Sequence, residues 1–196
     1  MHQSSYDLMR QFRDEHLSNR EAEALRILDY GSLDVNGSFR PLFDAPSWTY
    51  VGMDREGGPN VDVVVTEPYH WSAFPTRSFD VIVSGQALEH TELFWRTADE
   101  LDRILKPGGL CCLLVPSSGP EHRYPVDCWR FYPDGLRALA LYAGLEPLDV
   151  ATTWEDGPYT DSSNLWHDSR LVARKPHRPL LHETLRDVRR FIRTRI

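Results

Sequence analysis

Two rhythms of apolar positions alternate along the chain. Short apolar runs stand at 26–30, 49–53, 61–65, 79–84 and 110–115, and again at 145–151 and 169–174. Runs of that length, bounded by polar and turn residues, predict strands buried on both faces. Between them the spacing becomes helical. Leu8, Met9 and Phe12 within a charged stretch over 6–26, followed by Glu21-Ala22-Glu23-Ala24-Leu25, predict one or two covering helices. Leu101, Ile104 and Leu105 predict a helix over 93–105 that Lys106-Pro107-Gly108-Gly109 ends, since glycine permits the left-handed turn and proline bars continuation. A further helix over 133–143 opens on Pro133 and Asp134 and stops at Gly144. Strands alternating with helices in this way predict an α/β fold, with a seven-stranded, mainly parallel sheet covered by helices on both faces.

Residues 175–196 break the alternation. Seven Lys and Arg stand there against Glu183 and Asp187. Leu181, Leu185, Val188 and Ile192 fall on one helical face, which predicts an amphipathic helix packed on the domain or on a second copy of the chain as a homodimer. The face is too narrow to make membrane-surface binding the leading reading. The expected organisation is one domain over 1–174 followed by a basic helix over 175–196.

Composition narrows the class. A chain of 196 residues that is 41% hydrophobic can build one sizeable core. Its formal charge of -7 leaves most of the surface repelling phosphate, so nucleic acid is not the expected partner. Cys111, Cys112 and Cys128 are odd in number and form no spaced framework, which reads as reduced thiols rather than disulfides or a zinc site. The opening Met1-His2-Gln3-Ser4-Ser5 lacks the charge and apolar stretch of a signal peptide, and no apolar run approaches the roughly 18 residues of a membrane span. A soluble, cytoplasmic protein is expected.

Candidate chemistry begins where the first strand runs into Asp29-Tyr30-Gly31-Ser32 and on to Gly37. A strand that ends in an acid and a glycine turn offers backbone N–H groups and small side chains to a charged ligand, or else simply makes a loop. Gly31 would allow close approach, and Asp29 or Asp34 could meet a cationic group. No glycine lies two residues after Gly31, so the nicotinamide-binding G-x-G-x-x-G is absent and a dehydrogenase is disfavoured. The second strand ends in Met53-Asp54, about 20 residues beyond the glycine turn. An acid there is placed to accept both hydroxyls of a ribose, or else it is a turn residue before Glu56-Gly57-Gly58-Pro59.

The run from Ser78-Phe79-Asp80-Val81-Ile82-Val83-Ser84 to Leu88-Glu89-His90, followed by a helix closing with Leu105-Lys106-Pro107-Gly108-Gly109, resembles the class I S-adenosylmethionine (SAM)-dependent methyltransferases of the Methyltransferase-11 type over about residues 25–150. The resemblance implies a Rossmann-like fold and SAM as cofactor. It implies that the Asp29-x-Gly31 turn wraps the methionine part, with Ser32 and Gly37 as candidates in the loop after it, that Asp54 is the ribose-binding acid with Met53 beside it at the cofactor, and that Gln86 borders the methionine portion. Leu33 and Val35 stand where glycines are common in the family's first motif. The adenine-covering segment falls near Glu67-Pro68-Tyr69-His70-Trp71, where Tyr69 or Trp71 stacks on the purine or packs in the core.

The segment from Pro116 to Pro133 leaves the end of a central strand, where open α/β sheets bind ligands, and it is dense in titratable and aromatic groups. It resembles the H-x-x-P-x-D-x-x-R stretch of bacterial relatives and is expected to line an acceptor pocket. Methyl transfer needs alignment and exclusion of water, and a hydroxyl acceptor also needs a base. His122 with Asp127 as orienting carboxylate is the first candidate, and His90 the second. Asp127 and Arg130 form the alternative of a structural ion pair. No His, Cys or carboxylate spacing calls for a metal. The expected function is methyl transfer to a small molecule, at a hydroxyl of a sugar, nucleoside or secondary metabolite. Two others stay open: a SAM-binding protein with different chemistry or a regulatory role, and a methyltransferase for RNA or protein.

Overall fold

The computed structural model describes residues 2–193. Seven strands, β1 (Arg26–Tyr30), β2 (Thr49–Asp54), β3 (Val63–Val64), β4 (Phe79–Gly85), β5 (Leu105–Pro116), β6 (Glu146–Thr152) and β7 (Asp168–Arg174), form one sheet in the order β3-β2-β1-β4-β5-β7-β6. All neighbours run parallel except β7, which is antiparallel to both β5 and β6. Helices α1 (Gln3–His16), α2 (Phe94–Ile104), α3 (Pro133–Ala143), α4 (Ser163–Trp166) and α5 (Leu180–Arg193) complete it, with single 3-10 turns at Arg40–Phe43 and Leu88–His90.

Because successive strand side chains point to opposite faces, a strand buried on both sides must be apolar throughout. In β5, Cys111, Leu113 and Val115 enter the core under α2 and α3, whereas Leu110, Cys112 and Leu114 enter the core under α1. Met9, Phe12 and Leu17 cover that second face together with Phe39, Phe43 and Trp48.

Four expectations shift. The covering helix ends at His16, and the strand expected over 61–65 shrinks to two residues. Lys106-Pro107-Gly108-Gly109 lies inside β5 rather than capping α2, with Phe79 pairing Leu105 and Val81 pairing Leu110 across the bulge. The left-handed Gly108 is there, but its N–H donates to the Lys175 carbonyl at 2.7 Å, and Lys175 N–H returns a bond to Gly109 at 2.9 Å. Sheet pairing therefore claims the backbone groups that a helix cap would have used. Last, α5 docks through polar groups. Glu183 is buried, and the Arg186 guanidinium donates to the Ala143 carbonyl and stands 3.4 Å from Asp102, while Leu185 and Val188 are half exposed. The side chains of Leu181 and Ile192, counted on the same face, lie outside the described residues. Among the described residues no helix is long and apolar enough to cross a membrane.

Sheet order reverses between β1 and β4, since chain progress runs outward to β2 on one side and to β5 on the other. The carboxyl ends of these strands open the crevice where such sheets hold ligands.

Candidate active site

The ends of β1, β2 and β4 meet tightly. Gly31 sits at φ +78°, its N–H donates to Met53 O at 2.9 Å, and the Ser32 N–H donates to the same oxygen at 3.1 Å. A Cβ on Gly31 would stand inside contact distance of the Ala87 Cβ, just past β4, so only glycine lets these two turns approach. Asp54 joins the same cradle by accepting from Leu33 N–H at 3.0 Å, and it also accepts from Arg55 N–H at 2.7 Å. A carboxylate accepts about four bonds, so it keeps capacity beyond the turn contacts with Leu33, Arg55 and Glu56.

Asp29 lies beneath this turn at 2% exposure. The Tyr50 hydroxyl donates to its Oδ2, and Oδ1 has no hydrogen-bond partner. Burial pushes its carboxyl up to about 7, against the opposing pull of the Tyr50 bond. A carboxyl that stays protonated in the folded state while the unfolded chain ionises contributes stability below pH 4, and that stability declines as pH rises toward 7. Wild type should lose stability over this window at up to about 1.4 kcal/mol per pH unit through this group. Denaturant titrations of Asp29→Asn should show that part of the slope removed, and an unaltered slope would show that Asp29 ionises normally.

The other residues expected at the cofactor differ in burial and in partners. The Met53 side chain is 1% exposed and belongs to the core, so only its backbone serves the cradle. Trp71 is likewise 1% exposed, because Arg103 and Glu100 of α2 bind its backbone and draw the ring under Tyr30. Tyr69 remains half-buried beside the crevice, its hydroxyl accepting from Leu93 N–H at 3.1 Å. Ser32 is buried and donates toward Asn60 O at 3.3 Å. Gly37 is an exposed turn residue whose N–H goes to Asp34 at 2.7 Å. Gln86 turns its amide toward α1, donating to Asp168 at 2.9 Å and Ser5 at 3.1 Å. Ser4 and Ser5 also bind Asp168, so α1 is tied to the end of β4 and roofs a cavity of about 160 Å³ lined by Asp7, Gln11, Tyr159 and His167.

The 116–133 segment folds back on the Leu88–His90 turn, with Cys128 N–H donating to Glu89 O at 2.7 Å and Trp129 Nε1 to Thr91 O at 3.0 Å. Asp127 accepts two bonds from Arg130, at 2.6 and 2.9 Å, and one from the His122 backbone at 2.8 Å. The Arg130 bonds hold its carboxyl well below the usual carboxylate range. It stands 3.4 Å from His122 Nδ1, so its first role is to fix the loop, and the expected hydrogen bond to the imidazole is not formed. The rings of His90 and His122 lie 4.8 Å apart, and burial lowers the His90 pKa.

One group here escaped the sequence. Glu89 is fully buried, neither of its oxygens has a hydrogen-bond partner, and burial pushes its carboxyl up to about 8. Its oxygen stands 3.7 Å from His90 Nε2. An acid next to a histidine at the end of an apolar strand was the available signal. His122, which joins them in space, is about thirty positions away.

A family model described as a methyltransferase domain, of the Methyltransferase-11 type, matches residues 43–113, from before β2 into β5. No curated protein matches significantly. The fold is similar to that of the 1,6-didemethyltoxoflavin-N1-methyltransferase of Burkholderia thailandensis, solved with 1,6-didemethyltoxoflavin and S-adenosylhomocysteine (18% identity, TM-score 0.61, 89% of this chain and 85% of that one). It is similar to the (4+2)-cyclase SpnF (18%, 0.60, 87% and 82%). It is also similar to the CurJ carbon methyltransferase (13%, 0.57, 79% of this chain), of whose length this chain spans about half, 49%. Over residues 43–113 the chain thus matches a methyltransferase domain, and the sheet that carries this segment is similar in fold to SAM-dependent methyltransferases.

Proposed function

We propose that this chain acts as a methyltransferase on a hydroxyl of a small molecule, such as a sugar, nucleoside or secondary metabolite, seated between the Leu88–His90 turn and the 116–133 segment. The observation that carries the reading is the cluster of Glu89, His90 and His122, which begins two residues beyond the Ala87 that packs on Gly31. Residues for the cofactor fit it: the Gly31 cradle admits no side chain, and Asp29 has a buried oxygen in want of a donor. SAM supplies an electrophilic methyl carbon, so the protein's tasks are alignment, exclusion of water and removal of the acceptor's proton.

Asp54 would accept the ribose hydroxyls, and Gly31 with Ser32 would present backbone to the methionine part. Asp54→Ala should weaken binding by about 1.5–3 kcal/mol, tenfold or more, in a calorimetric titration with SAM. Unchanged affinity would take Asp54 out of the site. On the acceptor side, Asp127 and Arg130 hold the loop that carries His122, and the proton leaves to the cluster. The Gln86–Asp168–Ser5 link keeps α1 over the crevice and limits the entry of water.

Incubating the protein with SAM and a small-metabolite extract tests the activity. S-adenosylhomocysteine together with a methylated species in the small-molecule fraction is the expected result. Product only on RNA or protein would assign a macromolecular acceptor. The fold of SpnF, a cyclase, gives a second reading of non-methyl chemistry. Conversion of extract components without formation of S-adenosylhomocysteine would favour it.

A further inference from the structure

We propose that Glu89, His90 and His122 form a binding site for a divalent first-row transition ion of the zinc type, built into the wall of the acceptor pocket. Side-chain donor atoms of the three residues all lie within 4.8 Å of one another. Two imidazoles and a carboxylate are the donor set of catalytic zinc centres with an open fourth position, and the mixed N and O donors favour such ions over calcium or magnesium.

Three features distinguish the cluster from a chance meeting of polar side chains. Glu89 is fully buried with both oxygens unpartnered, a costly state that a bound cation would relieve. His90 sets Nδ1 at 2.6 Å from the Val126 carbonyl, which fixes Nδ1 as the protonated nitrogen and turns the Nε2 lone pair toward Glu89. Metal-ligating histidines are commonly oriented in this way by a backbone carbonyl or a carboxylate. His122 has no hydrogen-bond partner at its buried Nδ1, and the Asp127 carboxylate 3.4 Å away could take up that N–H once the ring moves onto an ion.

In a tetrahedral zinc site, bonds near 2 Å put the ligand atoms about 3.3 Å apart. The cluster must therefore contract. His122 supplies the movement, since its side chain is 37% exposed, while Glu89 stays fixed as the floor. The ion faces the pocket through its open position, where an acceptor hydroxyl would bind, become more acidic and release its proton to water at the pocket mouth, the ligated Glu89, His90 and His122 no longer serving as its base. That last step rests on the proposed function, whereas metal binding does not.

Cobalt(II) is the probe. Protein dialysed against chelator and titrated with CoCl2 should bind one ion per chain, with visible d–d absorption that ZnCl2 abolishes. Glu89→Gln and His122→Ala should each weaken cobalt binding at least tenfold, since even the loss of an outer partner costs that much. Calorimetry with S-adenosylhomocysteine on the same samples controls for folding, because His122 lies outside the cofactor cradle. No bound cobalt in wild type, or equal binding by wild type and both variants, would overturn the site. Bound cobalt without cofactor binding would leave the site standing and sink the methyl-transfer reading instead.

Discussion

Valine in place of Gly31 is expected to cost about 2–5 kcal/mol of stability and to abolish cofactor binding. Two terms add. A β-branched residue at φ +78° is strained by roughly 1–2 kcal/mol, and forcing its side chain into packed structure costs about 1–3 kcal/mol more. The second term arises because the space is already filled by Ala87. Relief would require the turns after β1 and β4 to part, which is the separation the cofactor cradle cannot tolerate. Denaturant unfolding measures the first effect, and calorimetry on the folded fraction measures the second. A stable Gly31→Val protein with intact binding would show that the two turns are not the cradle.

A loss of about 3–5 kcal/mol is expected for Lys175→Met, the range for removing one member of a buried ion pair. Lys175 is 1% exposed, and its ammonium donates to the carbonyls of Asp102 at 2.6 Å and Leu105 at 3.1 Å. It also stands 3.4 Å from the Asp102 carboxylate and 4.0 Å from that of Glu183. Methionine fills the volume but removes the ammonium that both buried acids share, leaving Glu183 to Arg77 and Arg178 and Asp102 to Arg186 among the ion pairs. The loss should appear as a lower midpoint in urea with affinity for S-adenosylhomocysteine retained, since this cluster lies at the opposite end of β5 from the crevice. A cost below about 1 kcal/mol would mean that the arginines already satisfy both acids.

Both sites show where sequence reasoning reaches and where it stops. The inner strands are legible because a strand buried on two faces has to be apolar throughout, as in Leu110 to Val115, whereas the edge strands β3 and β6 carry no fully buried residue. The glycine turn and the acid at 54 are legible because their spacing arises from adjacent parallel strands, Tyr30 pairing with Met53. Lys106 to Gly109 misled because proline and glycine mark a break in a helix without specifying the structure beyond it, and here long-range pairing to Phe79 and Lys175 decided for a bulge. Trp71 was ambiguous for a similar reason. Whether an aromatic ring faces a ligand or the core depended on Arg103, about thirty residues later, binding its carbonyl. The tail helix read as docking by its apolar face, yet the deciding contacts are Glu183 with the buried Lys175 and Arg186 with Asp102 of α2 and the Ala143 carbonyl at the end of α3. Glu89 was hidden most deeply, because a lone acid gains meaning only when the fold brings His122 beside it.

Calorimetric titration of the wild-type protein with S-adenosylhomocysteine tests most directly whether the ends of β1, β2 and β4 hold the cofactor. One saturable site per chain is expected, competed by SAM and weakened in Asp54→Ala. Absence of binding heat together with an unchanged melting temperature at saturating ligand would contradict that cradle.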